Sequence, residues 1–215
     1  MSRPEQPTAV ARIENSLSIA VLTAMAALPL VEIFGRLLVG RGIAGSIPVV
    51  QHLALWVAIL GAALASRSDR HLALSTQSFL PTRFRGAVGI LTSAVATGIA
   101  ACLLLASLDL VRIERGAGET VAWGIPVWVA LLVMPAGFGV ITGRMIWHAS
   151  KRPRGRLLAS LGLAVPAVCG LIPALDQIDL LLPAGLLIVI ATALGMPIFT
   201  AIGGAALLLL WRDGT

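Results

Sequence analysis

Charge is the scarcest thing in this sequence. Charged residues are 12% of 215 positions against 58% hydrophobic, and the mean hydropathy is +0.95. A soluble domain carries about twice that charged fraction, so the composition excludes one and points to a polytopic membrane protein. Cysteine is nearly absent: Cys102 and Cys169 both sit inside apolar runs and read as small buried hydrophobes, not a disulfide or a metal site. The three histidines, His52, His71 and His148, do not form a ligand set by spacing, and metal sites need several convergent donors. No GxSxG, Walker loop, HExxH or paired catalytic carboxylates can be found. Nothing indicates an enzyme, a metal or a cofactor. The +6 formal charge does not indicate nucleic acid either, because the basic residues lie at the ends of apolar runs, where they orient membrane segments.

What is abundant is long apolar sequence. Six runs can be drawn: Ser16 to Leu38, Val49 to Ala65, Val88 to Val111, Val121 to Ile146, Leu157 to Leu175, and Leu180 to Trp211. About 20 residues at 1.5 Å rise cross a typical bilayer core. The sixth run is long enough to need a tilt or a break, and Gly195-Met196-Pro197 in its middle supplies one. The fifth carries Pro166 and Pro173 and is the weakest helix of the set. Met1 to Asn15 is polar and leads into a run with no clear cleavage site, which reads as a retained signal anchor. The expected fold is all-α, a polytopic helical bundle.

After Ala65 the second run passes into Ser66-Arg67-Ser68-Asp69-Arg70-His71 and a segment with Leu72, Thr76, Phe79 and Leu80 at helical spacing, ending in Arg83 and Arg85. A basic amphipathic arm over about 66–86, lying along the membrane surface, is the simplest reading. Arg67, Arg70, His71, Arg83 and Arg85 would then face phospholipid headgroups. With the N-terminus in the cytoplasm, twelve Lys and Arg fall inside and four (Arg36, Arg41, Arg112, Arg115) outside. This positive-inside bias predicts both termini cytoplasmic.

Few polar residues enter the apolar runs. Glu32 and Arg36, at i and i+4, read as an intrahelical pair near the interface or as a contact to a partner subunit. Asp109 is expected to pair with or snorkel toward Arg112. Asp176 and Asp179 read as a solvated loop, with a membrane-embedded transferase as the remote alternative. Trp56, Trp123, Trp128, Trp147 and Trp211 lie mostly near run ends, as aromatic belts do. Small residues four apart (Gly61 with Ala65, Gly139 with Gly143, Ala201 with Ala205) permit close helix approach, in this chain or to another.

Trp56, Leu60-Gly61-Ala62-Ala63-Leu64-Ala65, Arg67 and His71-Leu72-Ala73 resemble the second helix and following arm of the small, Q-type membrane subunit of TRAP transporters, which are tripartite ATP-independent periplasmic systems. Ile125-Pro126-Val127-Trp128 and Met134-Pro135-Ala136-Gly137-Phe138, with Arg144 after them, resemble that subunit's fourth helix. The sequence departs from the family at Pro48 and Gln51, where charged residues are frequent, and at Ser75, where an aspartate is frequent. Leu194-Gly195-Met196-Pro197-Ile198-Phe199 and Ala201 to Ala206 look like the first helix of the large, M-type membrane subunit, as in fused proteins of these systems. The resemblance implies a small-subunit domain over 1–150, a connecting helix and loop over 151–179, and a large-subunit-like helix over 180–215.

What it implies for function is a non-catalytic scaffold in a bacterial inner membrane. The large subunit would move an organic acid on a sodium gradient, and a periplasmic binding protein would deliver it. Glu32, Arg36, Trp56, Gly61, Trp128, Pro135, Gly139 and Gly143 are the candidate residues for the partner interface. The alternative from the sequence is a self-contained small membrane transporter or channel.

Overall fold

The computed structural model describes residues 9–40, 42–66, 82–149, 153–166 and 181–213. Among these, the secondary structure is helical, apart from one isolated bridge between Thr120 and Pro126. The helices are α1 (Ala9–Val39), α2 (Ser46–Ala65), α3 (Thr82–Ala117), α4 (Val127–Leu131), α5 (Val133–His148), α6 (Pro153–Ser160), α7 (Leu181–Ala193) and α8 (Ile198–Asp213), with a 3-10 turn at Leu161–Leu163. Among the described residues, four stretches are long and apolar enough to cross a membrane: Ala11–Leu38, Ser46–Ala65, Gly86–Ala117 and Val127–Trp147. These are the first four runs of the sequence, and the expected all-α membrane fold is the one observed.

The boundaries differ in informative ways. The third helix begins at Thr82, so the backbone of Arg83 and Arg85 belongs to the first turn of α3. The fourth span does not start at Val121. Its first residues form a tight turn, and helix begins only at Val127. That helix is then interrupted at Leu132, between α4 and α5. Pro135 explains the interruption: it has no N–H to give the Leu131 carbonyl four residues back, and its ring crowds that carbonyl. Leu132 N instead bonds Val129 O at 3.3 Å, and Ala136 N restores the helical pattern on Leu132 O at 3.2 Å.

The chain divides into two compact units. One comprises Met1–Leu64 with Asp109–Gly137, and the other Ala65–Leu108 with Phe138–Thr215. In the first, α2 meets the start of α5 where Gly137 faces Ile59. A side chain at 137 would overlap the Ile59 Cγ2 methyl, so this approach needs glycine. In the second, Gly162 and Gly98 bring the 3-10 turn onto α3 backbone to backbone: a Cβ on Gly98 would lie 3.2 Å from Gly162 O and 3.0 Å from Val165 Cγ2. Small residues at such contacts are what helices use in lipid, where apolar side chains gain nothing by leaving the solvent.

The sixth run breaks at Leu194–Pro197, as expected from Gly195-Met196-Pro197. Its two halves do not continue in one direction, however. Helices α7 and α8 pack on each other, with Ile188 Cδ1 2.9 Å from the Cβ position of Gly204. Within 181–213 the run therefore folds as a helix pair.

Candidate functional site

Among the described residues, three groups of contacts engage polar side chains of the spans and their connections. The first joins α1 to α2. Glu32 accepts from Arg36 Nη2 at 2.5 Å through one oxygen, and from the Ser46 hydroxyl through the other. Ser46 opens α2 and is 2% exposed, whereas the Arg36 side chain is largely open. Gly42 makes room for that side chain, since a Cβ there would lie 2.7 Å from Arg36 Nε. A carboxylate that would be costly alone at the edge of an apolar span is thus engaged on both oxygens inside the chain. The i, i+4 pair read from the sequence is present, and Ser46 is the member that sequence spacing could not supply.

The second group surrounds the turn between α3 and α4. Ile125 N bonds Ala122 O at 2.9 Å, and the two central residues, Trp123 (φ 52°) and Gly124 (φ 77°), both have positive φ. This is the pattern of a type I′ turn, which asks for residues tolerant of the left-handed region. Val121 N to Ile125 O and Val127 N to Glu119 O close the loop behind it. Gly45 (φ 83°) fits against Ala122, with the Cβ position 2.6 Å from the alanine methyl. Arg115 lies 5.5 Å over the Trp128 ring, within cation–π range. Asp109 pairs with Arg112 at 2.6 Å with both side chains exposed, in keeping with the expected local pairing.

The third group ties helices through single polar atoms. Trp56 Nε1 donates to Ala130 O at 2.7 Å, linking α2 to α4. Arg144 Nη1 lies 3.4 Å from Ser66 Oγ, a long contact onto a buried hydroxyl. His52 Nδ1 donates to Pro48 O at 2.8 Å within α2, a structural role for that histidine. Trp56 and Trp128 therefore serve contacts inside the chain, and belt placement alone does not account for them. Trp123 and Trp147 stay exposed, at 61% and 66%.

The glycines singled out by spacing distribute unevenly. Gly139 has Leu104 Cδ1 of α3 at 4.0 Å from its Cβ position, whereas Gly61 and Gly143 face open space. Approaches closer than this fall at Gly42, Gly45, Gly98, Gly137, Gly162, Gly203 and Gly204; Ala94 with Gly98 is the four-residue spacing that could have flagged Gly98. Pro135 is buried at the start of α5. Arg67, Arg70 and His71 lie outside the described residues, as do Asp176 and Asp179; Arg83 and Arg85 are described as backbone only. Among the described residues, no three His, Cys, Asp or Glu side chains gather where they could hold a metal ion.

Among the described residues, these contacts bind helices to helices. The family model for tripartite ATP-independent periplasmic transporters, DctQ component, matches residues 25–154, which takes in the second half of α1 and all of α2 to α5. The chain belongs to this family. It is a TRAP transporter small membrane component, carried by the membrane-spanning helices described above, and its family works with a large membrane subunit and a periplasmic binding protein. The match ends at 154, so α7 and α8 lie outside it. No curated protein and no solved structure matches the chain.

Proposed function

We propose that this chain scaffolds the large membrane subunit of a TRAP transporter in a bacterial inner membrane, holding it while it carries an organic acid inward on a sodium gradient. The family match over 25–154 is the observation that carries this reading. The contacts inside the chain support a passive role: Glu32, Trp56 and Arg144 are each committed to neighbouring helices or loops of the same protein. The open glycines Gly61 and Gly143 then mark faces where a partner helix could approach closely. Arg67, Arg70, His71, Arg83 and Arg85 would hold the 66–86 segment to anionic headgroups, with each arginine worth about 1 kcal/mol near the surface. The arginine distribution supports a cytoplasmic N-terminus. The segment 180–215 would correspond to the beginning of a large subunit.

The test is transport in proteoliposomes containing the large subunit and the binding protein, with and without this chain. Substrate uptake that requires both the chain and an inward sodium gradient supports the proposal. Full uptake without the chain rejects the scaffold role, and uptake indifferent to sodium rejects the coupling.

A further inference from the structure

We propose that α7 and α8 form a re-entrant hairpin that enters the bilayer and leaves it on the same side. The apolar run from 180 to 211 contains no charged residue, and as one straight helix it would be roughly 48 Å long, far more than a core of about 30 Å. Cut at Leu194–Pro197, its halves are about 20 and 24 Å, too short for either to cross unaided. The contact between Ile188 and Gly204 decides between a kinked crossing and a fold-back. Each lies eight positions from Met196, so the two strands of the run meet in antiparallel register.

The tip is built to sit in an apolar place. Gly195, at φ 108°, ends α7 as its left-handed residue. Gly195 N bonds Thr192 O at 3.0 Å and Met196 N bonds Ala191 O at 2.8 Å, the paired bonds of a Schellman cap. Pro197 follows, with no N–H to satisfy, and its carbonyl accepts from Thr200 N, Ala201 N and the Thr200 hydroxyl. Unmet backbone groups are what hydrocarbon penalises most, and this turn meets most of its own. Met196 and Thr200 are fully buried, and Gly203 and Gly204 seat α8 on Leu103 and Ile99 of α3. The outer faces carry Leu182, Leu186, Val189, Ile202 and Leu210, all more than half exposed, which suits acyl chains and not water. Asp179 precedes this run in the sequence and Arg212-Asp213 close it, so its charged residues all lie at its two ends.

The proposal needs only that the chain spans a membrane, so it stands or falls apart from the transporter reading. Leu181→Cys and Asp213→Cys are placed singly in the full chain, with Cys102 and Cys169 replaced by Ala, and labelled with a membrane-impermeant maleimide in right-side-out and inverted vesicles. Both positions should label from the same side. Labelling from opposite sides overturns the hairpin in favour of a single crossing. Independently of sidedness, oxidation of Ile188→Cys with Gly204→Cys should give an intramolecular disulfide. In a continuous helix these residues are about 24 Å apart and no disulfide would form, which would equally overturn the proposal.

Discussion

Replacing Gly162 by alanine should be among the most damaging single-methyl changes the chain can suffer. Gly162 is buried in the turn after α6, and its missing Cβ points at α3: a methyl there would overlap the Ala94 carbonyl oxygen and lie 2.9 Å from Gly98 N. Both neighbours are backbone, so no rotamer change can relieve the clash. The turn and α3 must separate by on the order of 1 Å, which forfeits a large part of the dispersion energy along the seam. Overpacking of this kind costs about 1–3 kcal/mol, and the absence of a yielding side chain puts Gly162→Ala at the upper end. Gly137→Ala presses only on the Ile59 methyl and should cost less. Gly61→Ala, with open space around it inside α2, should be neutral or stabilising by up to about 1 kcal/mol from helix propensity. Thermal unfolding of the three variants in mild detergent, followed by circular dichroism, should rank them in that order. A Gly162→Ala protein that melts with the wild type would refute the backbone-to-backbone seam.

Other expectations follow from the same contacts. Trp56→Phe keeps an aromatic ring but removes the indole N–H and leaves the Ala130 carbonyl without its donor, and should cost at least about 0.5–1.5 kcal/mol in the same melting assay. Ser46→Ala should lower stability more than Arg36→Gln, because Ser46 is buried against Glu32 while Arg36 is mostly open; equal melting points would argue against the α1–α2 clamp. Reversing the charge at Arg67, Arg70, Arg83 and Arg85 together should weaken association with anionic lipid by several kcal/mol in total and reduce transport or assembly, with unchanged uptake and membrane stability counting against the arm.

The spans were legible in the sequence because hydropathy reports burial in lipid directly, and the family was legible because Trp56, Gly61, Trp128 and the Met134-Pro135-Ala136-Gly137 stretch occur in recognisable order. Helix ends were harder. Val121, Ala122, Trp123 and Ile125 are apolar enough to extend the fourth run, yet they fold as a turn because Trp123-Gly124 takes positive φ, a choice that hydropathy does not encode. Charge marks the membrane edge but does not stop a helix, so α3 takes in the backbone of Arg83 and Arg85, ahead of the apolar run that starts at Val88. Spacing found Gly139 and Gly143 but not Gly162, whose partner Ala94 is far away in sequence. The break at Gly195 was visible, while the direction taken after it depended on Ile188 meeting Gly204, a tertiary fact. Ser46 was invisible for the same reason: its value lies in Glu32, fourteen residues earlier.

The central claim, a small TRAP subunit that holds a large one, is tested most directly by isolating the tagged chain from its native membranes in mild detergent and identifying what accompanies it by mass spectrometry. The account predicts a large polytopic membrane protein in stoichiometric amount, with or without a periplasmic binding protein. Recovery of the folded chain alone would contradict it and favour a self-contained membrane protein.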